Sequence, residues 1–575
     1  MRLACLLLIA PVLIACDQAP VPMALNGPID DWQSIGKTPG GQRFSALTQI
    51  NRDNVSQLKV AWEHRSGDYS TGTEQHGPTA LQVTPLVVDG SLYYCTPYNR
   101  VFALDAESGA ERWHFDPHTD LRNVYTPTCR GLAYWAAQTA GSDRRGICTT
   151  RIFTGTLDAR LLALDAQTGE ACADFGASGA VDLRDGLGDV RKGEYYMTSP
   201  PVVLGDLVIA GAFVQDGQRT DAPGGAVRAF DARSGALVWV WDPVPPGDRA
   251  VTVDDLRAGA TLTRGTPNAW GLLSVDSERK LVFVPTGNPS PDHYGGRERA
   301  NLDYYGTSFV ALHGETGQLA WHFQAVHHDL WDYDIAAQPV TFTQRGGRDA
   351  VIGATKTGAV FILDRITGEP LFPVEERLVP PTDVAGEYSS PTQPFPVLPP
   401  PLHPQAIVRD RLWGLTPWDR NDCRQRFDAL HYDGIYTPPS RKGTLAYPGL
   451  GGGINWGSVS VDPRNQRMVV NVQVVPFTMR LVDRDTDAPI GGDQVGYNPQ
   501  HGTPYSIVRG AFLSKWQTPC VPPPWGRLVA VDLNNGAILW ERPLGTLKGL
   551  APFGDFFEWG TPNSGGSIQT GSDLV

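Results

Sequence analysis

Beyond residue 30 the chain alternates short hydrophobic runs with polar turns, and the runs have the length and period of β-strands. TPLVVDGSLYYC (84–95) is typical, because Asp89-Gly90 can supply a tight turn between two strand-like runs. A longer template recurs: a strand ends at a polar residue, usually Asp, a glycine takes the turn, and a second strand carries Trp or Phe. The six copies are ALDAESGAERW (103–113), ALDAQTGEACADF (163–175), AFDARSGALVW (229–239), ALHGETGQLAW (311–321), ILDRITGEPLF (362–372) and AVDLNNGAILW (530–540). Each copy, with the hairpins around it, predicts a small antiparallel sheet.

The repetition predicts one large all-β domain over residues 31–575. Such sheets repeated around an axis form a β-propeller, in which loops from every blade converge near the axis. The long gap before the sixth copy leaves room for two further units, and a two-sheet sandwich is the alternative architecture. Residues 373–447 open with a proline-rich stretch that breaks the pattern, so we expect a loop excursion over a site. Within it, 419–432 has helical spacing and predicts a short helix on the rim.

The first 30 residues follow a different pattern. MRLACLLLIAPVLIAC has one Arg and then an apolar run too short to span a bilayer, which is typical of a secretory signal. Residues 13–16, LIAC, resemble the bacterial lipobox, so we predict a lipoprotein signal peptide over 1–15 and a lipidated tether over 16–30. Asp17 resembles a signal for retention at the inner membrane. We therefore expect a periplasmic protein anchored by lipid on Cys16, at the inner rather than the outer membrane; an ordinary signal peptide is the alternative.

Composition supports the all-β prediction. With 19% charged residues, 63 Gly, 48 Pro and 16 Trp, the chain suits a turn-rich β protein. The net charge of −13 argues against a nucleic-acid partner, which requires a basic face. Six of the eight cysteines lie beyond residue 16, which allows up to three disulfides in any of 15 full pairings. No CxxCH or CxxC motif occurs, so haem attachment and a zinc pair of this type are not indicated.

The densest chemistry lies in WHFQAVHHDLWDYD (321–334), where a predicted strand runs into two histidines and three carboxylates. A polar loop tip capped by aspartates is the alternative, and we expect His327 and His328 to be hydrogen-bonding residues at the strand end rather than ligands. Other polar or aromatic residues stand out of the repeat pattern at comparable positions of different units. They are Arg130, Thr198, Asp216, Trp270, Asn288 and Lys356. Taken singly, a turn cap or blade packing explains each of them.

These segments, with residues 31–68 and the HHDLWD run, resemble the pyrroloquinoline quinone (PQQ) dependent dehydrogenases of the membrane glucose and quinate/shikimate branch. The resemblance implies an eight-bladed propeller that holds PQQ and a divalent cation, usually Ca²⁺; Asp334 leaves Mg²⁺ or a lanthanide open. It implies Asp216, Asn288 and Asp332 as metal ligands, with Asp332 as general base and Lys356 as the cation at the quinone oxygens. The implied cofactor-binding residues are Gln82, Arg130, Thr198, Trp270, Lys356 and Asn455.

Three departures limit what the resemblance implies. Thr126 stands where glucose-oxidising members have a histidine, which puts glucose in doubt. Gln82 replaces a glutamate that reaches the cofactor. The chain stops at GTPNSGGSIQTGSDLV, where the family continues into one more repeat, so we expect an incomplete last blade.

The expected function is oxidation of a sugar, polyol or quinate-like alcohol, with electrons passed to membrane quinone. The rivals are a propeller scaffold lipoprotein without catalysis and an enzyme of the same fold that donates to a soluble cytochrome.

Overall fold

A computed structural model describes residues 31–137, 146–299, 301–484, 496–548 and 557–575. The predicted signal peptide (1–15) and tether (16–30), with Cys16, lie outside the described residues. The description below concerns the unit Asp31–Val575.

Six antiparallel sheets follow one another along the chain, five with four strands and sheet 5 with three. Sheet 1 contains Leu86–Val88, Ser91–Cys95, Val101–Asp105 and Glu111–Phe115, and sheet 2 contains Ala133–Ala136, Thr150–Gly155, Arg160–Asp165 and Ala180–Asp182. Sheet 3 contains Val202–Leu204, Leu207–Ala210, Val227–Asp231 and Leu237–Trp241, and sheet 4 contains Ser274–Asp276, Leu281–Pro285, Ser308–His313 and Leu319–Gln324. Sheet 5 contains Val340–Thr343, Asp349–Ala354 and Val360–Asp364, and sheet 6 contains Val459–Asp462, Arg467–Gln473, Gly526–Asp532 and Ile538–Pro543.

The repeated template supplies the contact between consecutive sheets. Gly169 has a φ of +76°, and a Cβ added there would lie 2.5 Å from the indole of Trp113 in the previous sheet. Trp113 also donates its Nε1 hydrogen to the carbonyl of Ala166, at 3.2 Å. The same docking joins Trp239 to Gly317, so each tryptophan packs on the turn of the next unit. The template therefore encodes both the turn and the contact between sheets.

The hydrophobic core is divided into layers, each between two consecutive sheets. One layer packs Trp239 of sheet 3 against Val284 and Val310 of sheet 4. Equivalent layers join sheets 1 and 2, 2 and 3, 4 and 5, and 5 and 6. A two-sheet sandwich has one such layer, so the serial arrangement is that of a propeller and confirms the all-β prediction.

A seventh sheet, interleaved along the chain with the strands of sheet 6, lies in the gap before the sixth copy, where the spacing left room for two further units. This inserted sheet orders its strands as Thr444–Ala446, Phe477–Asp483, Tyr505–Ala511 and Tyr497–Asn498. Four small pairings complete the strands: Phe44–Ser45 with Gln569–Thr570, Ala80–Leu81 with Thr128–Cys129, Tyr195–Tyr196 with Phe213–Val214, and Val374–Leu378 with Thr392–Pro396. The helices are Val253–Arg257, Gly296–Arg299 and Pro417–Asp428, with 3-10 turns at Val55–Gln57, Asp303–Tyr305 and Arg409–Arg411.

The predicted rim helix is present at Pro417–Asp428. Thr416 caps it by accepting a hydrogen bond from the Asp419 backbone, and Pro417 begins the first turn. The six cysteines form three disulfides, as the even count allowed: Cys95–Cys129, Cys148–Cys172 and Cys423–Cys520. Across the described part of the chain, no helix has the length and apolarity needed to cross a bilayer.

Candidate functional site

The loops that carry the predicted site residues are tied to one another by backbone contacts. The backbone N–H of Arg130 donates to the carbonyl of Thr198 at 3.0 Å, and the carbonyl of Arg130 accepts from Thr84 at 3.1 Å. Ser199, next to Thr198, donates its hydroxyl to the carbonyl of Trp270 at 2.7 Å. Loops from separate units therefore meet as expected for the axial end of a propeller.

Trp270 is the common neighbour of the predicted cofactor residues. The guanidinium carbon of Arg130 lies 5.1 Å from its ring centre, and the ammonium of Lys356 lies 5.9 Å from it. Arg130 also lies 5.5 Å from the ring centre of Trp456. The indole Nε1 of Trp270 donates to a carboxylate oxygen of Asp334. Half-buried Trp270 thus offers a flat surface beside two cations.

Lys356 holds Asp332 in two ways. Its ammonium donates to the backbone carbonyl of Asp332 at 2.8 Å and to the carboxylate at 3.1 Å, and it also pairs with Asp334. Burial alone would lower the pKa of Lys356, but these two carboxylates raise it above its ordinary value. Lys356 therefore stays a cation within the buried cluster.

Buried Asp292, Asp332 and Asp334 lie near half-buried Asp216, and the charges of the four aspartates interact. Burial, together with the charges of Asp292 and Asp334, raises the pKa of Asp216 to about 8. Burial and the charge of Asp332 raise the pKa of Asp292 to about 7. Burial also holds the pKa of Asp332 well above its usual range, although Lys356 opposes the shift. Such a surplus of carboxylate oxygens suits a hard cation, because a divalent ion would offset the charge repulsion.

Asn288, the third predicted ligand, lies beside the same loop. The single hydroxyl hydrogen of Thr307 is shared between the amide oxygen of Asn288, at 2.8 Å, and the carboxylate of Asp329, at 2.9 Å. Burial raises the pKa of Asp329 to about 6. Asn455 instead completes its own turn, with its amide bonded to the carbonyl of Gly451 at 2.8 Å and its oxygen to the N–H of Trp456 at 2.7 Å. Asn455 therefore has partners within its own turn. Its contact with the cofactor stays a prediction.

Several predicted cofactor residues have buried polar atoms without hydrogen-bond partners among the described residues. These atoms are Oε1 of Gln82, Nε and Nη1 of Arg130, and Oγ1 of Thr198. Gln82 and Arg130 line one cavity with Trp456. Burial lowers the pKa of Arg130 to about 10, because the guanidinium has left water without gaining a counterion. Buried polar groups are normally paired, so these residues fit a polar ligand that carries a carboxylate.

The two histidines of the HHDLWD run are hydrogen-bonded, as the sequence analysis expected. His327 contacts Gln324 at 2.8 Å and Glu376 at 3.2 Å. His328 is buried between Asp303 and Glu387, and Tyr388 stacks on its ring with centres 3.7 Å apart. The excursion 373–447 therefore contacts the loop that carries Asp332, and Leu402 also bonds the turn after Lys356 at Gly358.

Besides Asp292, the sequence analysis missed three neighbours of the site. Arg509 lies 3.7 Å from the carboxylate of Asp332 and donates to His293 at 2.9 Å. Trp456 packs against the guanidinium of Arg130. Arg509 and Trp456 lie within or beside ordinary strand patterns, so no local signal marked them. His293 follows Asp292 in the TGNPSPD segment, whose density of turn residues could have drawn attention to it.

Comparisons with known proteins agree with this geometry. The family model described as PQQ: Glucose/ethanol/alcohol dehydrogenase, beta-propeller domain matches residues 32–575. The quinoprotein glucose dehydrogenase of Escherichia coli (strain K12) is 37% identical over 564 residues, which cover 95% of this chain and 70% of that protein. The quinate/shikimate dehydrogenase (quinone) of Acinetobacter baylyi is also 37% identical, over 95% of this chain and 70% of that protein.

A solved structure, the quinohemoprotein alcohol dehydrogenase of Comamonas testosteroni, is similar with a TM-score of 0.60 and 25% identity. The match covers 94% of this chain and 69% of that one.

Proposed function

The chain belongs to the PQQ-dependent quinoprotein dehydrogenases with a β-propeller domain, and from that premise we propose that it oxidises a sugar, polyol or cyclic, quinate-like alcohol. The product is the carbonyl compound or lactone, and the electrons pass to membrane quinone. One observation carries the proposal: Asp332, Lys356, Trp270 and Arg130 form a single contact chain at the end of the sheets.

The cofactor-binding role of this chain rests on the unpaired atoms. Arg130 would pair with a carboxylate of PQQ, for which the planar guanidinium fork suits better than an ammonium. Gln82 and Thr198 would donate or accept further hydrogen bonds, and Asn455 would lie at the edge. Trp270 would stack under the planar ring system, since its face already attracts two cations.

A divalent cation would be held by Asp216, Asn288 and Asp332. Carboxylate and amide oxygens are the ligands that Ca²⁺ prefers, and Mg²⁺ or a lanthanide would accept the same oxygen set. The raised pKa values of Asp216 and Asp292 support a cation here, because a positive charge would favour the ionised forms.

When bound, PQQ supplies the two-electron acceptor for alcohol oxidation and the cation supplies a Lewis acid beside it. Asp332 removes the proton of the substrate hydroxyl as general base. Lys356 keeps Asp332 in position through its carbonyl and carboxylate, and its charge stabilises negative charge that develops nearby. The excursion 373–447 contacts His328 through Glu387 and Tyr388, and would limit access of water from that side.

We also propose the finer features that the resemblance implies. They are an eight-bladed ring, a periplasmic location at the inner membrane, lipid on Cys16, and ubiquinone or a cytochrome as the electron acceptor. The family match does not favour the scaffold alternative.

The test combines binding and turnover. Purified protein with PQQ and Ca²⁺ is expected to reduce a dye in the presence of at least one alcohol from a panel of sugars, polyols and quinate. Asp332→Asn should lower kcat by about 10²–10⁴-fold while PQQ stays bound, because it removes the general base. Asp364→Asn, in the exposed turn of a repeat, controls for the same chemical change away from the site. A protein that binds no PQQ, or an Asp332→Asn variant with full activity, would contradict the proposal.

A further inference from the structure

Arg509 is the charged residue beside Asp332 for which the proposed reaction gives no role. It lies on the strand Tyr505–Ala511 of the inserted sheet, paired with Met479 of the neighbouring strand. Met479 and Ile507 of this sheet pack in one cluster with Trp331 and Tyr333, the residues on either side of Asp332. The inserted sheet therefore fixes Arg509 against the loop that carries the proposed base.

The contacts of Arg509 hold the guanidinium without neutralising it. Nη1 donates to Nε2 of His293 at 2.9 Å, and Nδ1 of His293 donates to the carbonyl of Leu330 at 3.2 Å. This pattern requires neutral imidazole with its proton on Nδ1. Burial, with Arg509 next, lowers the pKa of His293 well below its ordinary value, which agrees with the neutral form. His293 is thus an uncharged support that orients the guanidinium.

Among the residues that the structure describes, no carboxylate is hydrogen-bonded to the guanidinium of Arg509. The carboxylate of Asp332 lies 3.7 Å from Nη1, which is too long for a hydrogen bond, and Asp332 already accepts from Lys356 at 3.1 Å. Nε of Arg509 is buried and has no hydrogen-bond partner among the residues that the structure describes. The side chain as a whole keeps 14% exposure. Nε and Nη2 form the edge of an arginine that binds a carboxylate through two parallel hydrogen bonds.

We propose that Arg509 is a specificity-determining residue that binds a carboxylate of the substrate, so that the preferred substrates are hydroxy acids rather than neutral sugars or polyols. The inference rests on the proposed function, because it places the oxidised hydroxyl at Asp332. Nη1 of Arg509 lies 3.7 Å from the carboxylate of Asp332, so a substrate held by this guanidinium carries its carboxylate close to the reacting carbinol. Thr126, in the position where glucose-oxidising relatives are expected to carry histidine, agrees with a substrate other than glucose.

The test compares acids with matched neutral compounds within each variant. Quinate is paired with its methyl ester, and glucuronate with glucose, using the holoenzyme with PQQ, Ca²⁺ and a dye acceptor. Wild type is expected to prefer the acid of each pair in kcat/KM. In Arg509→Gln the ratio of kcat/KM for the acid to that for the neutral compound should fall about 10–100-fold through a higher KM for the acid, because the charge-assisted hydrogen bonds to its carboxylate are lost. Arg509→Lys, which keeps the charge and loses the fork, should give an intermediate ratio.

Arg480→Gln is the matched control, since Arg480 is exposed on the adjacent strand of the same sheet, and its ratio should equal that of wild type. An equal fall in kcat for both members of a pair would overturn the inference, because it would make Arg509 a positioning residue for Asp332. So would a wild-type enzyme without preference for acids, even if it oxidises alcohols well.

A calorimetric titration of wild type and Arg509→Gln with quinate and its methyl ester separates this inference from the proposed function. Binding of quinate that depends on Arg509, in a protein that oxidises no alcohol, would refute the function and support the anion site.

Discussion

Arg130→Met is expected to raise the stability of the cofactor-free protein and to weaken PQQ binding. Burial lowers the pKa of Arg130 from its ordinary value of 12.5 to about 10, which corresponds to about 3 kcal/mol against the charged side chain in the cofactor-free protein. Cation–π contacts with the indoles of Trp270 and Trp456, at 5.1 and 5.5 Å, offset about 1–2 kcal/mol of this burial penalty. Methionine of similar length should therefore leave the cofactor-free protein about 1–2 kcal/mol more stable.

With PQQ bound, we expect the charge of Arg130 to be favourable. Two charge-assisted hydrogen bonds from Nε and Nη1 of Arg130 to a cofactor carboxylate would contribute about 3–6 kcal/mol together. Arg130→Met should thus weaken PQQ binding by about 10²–10⁴-fold. Urea unfolding without PQQ measures the first effect, and calorimetric titration with PQQ measures the second.

Arg43→Met is the matched control. Arg43 lines the same cavity, and burial likewise lowers its pKa to about 10. However, its Nη1 donates to the carbonyls of Gly41 and Val459, at 3.0 and 3.3 Å, so its role is structural. This variant should be destabilised and keep its PQQ affinity when folded. The reasoning is refuted if Arg130→Met binds PQQ as tightly as wild type, or if it loses stability as Arg43→Met does.

Two further predictions concern stability. Burial lowers the pKa of His328, but its hydrogen bonds to Asp303 and Glu387 raise it overall, so its stabilisation is complete below about pH 6.5 and is lost as pH rises through the raised value. Urea unfolding across pH should show a steeper decline for wild type than for His328→Gln, and parallel profiles would contradict this. Replacing both Cys423 and Cys520 by serine should lower the free energy of unfolding by about 2–5 kcal/mol, since the bridge spans 97 residues. An unchanged thermal midpoint would show that the bridge is dispensable.

The propeller could be predicted because each repeat of the sequence encodes its own sheet. Each template copy carries its own turn glycine, its own strand pair and the tryptophan that reaches the next unit, as Trp113 reaches Gly169. The spacing left room for the inserted sheet, but its strand pairing could not be predicted in this way. Its strand Thr444–Ala446 pairs with Phe477–Asp483 across two strands of sheet 6, and no local pattern specifies such a distant pairing. The disulfide pairing was open for the same reason, since it depends on distances in the folded chain.

The candidate site was predicted in part, through residue types and the family resemblance. Arg130, Trp270, Asp332 and Lys356 are brought into contact, and their roles remain those proposed above. Arg509 was missed because it sits inside a strand, and its partner His293 is 216 residues away in the sequence. Contacts that the fold creates between distant segments leave no periodic signal, so the sequence alone indicated the metal and cofactor residues better than those that would select a substrate.

The conformation of Asp332 explains why Lys356 contacts this residue twice. Asp332 has a φ of +62°, in the left-handed region that costs a residue other than glycine about 1 kcal/mol or more, although aspartate tolerates it better than most. A hydrogen bond to its carbonyl at 2.8 Å fixes the backbone, and one to its carboxylate at 3.1 Å fixes the side chain. The residue that neutralises the carboxylate is therefore also the one that holds the backbone turn that aims it. Preorganisation of this kind positions a base before the substrate arrives. The free energy needed to orient Asp332 is therefore spent during folding and does not add to the reaction barrier.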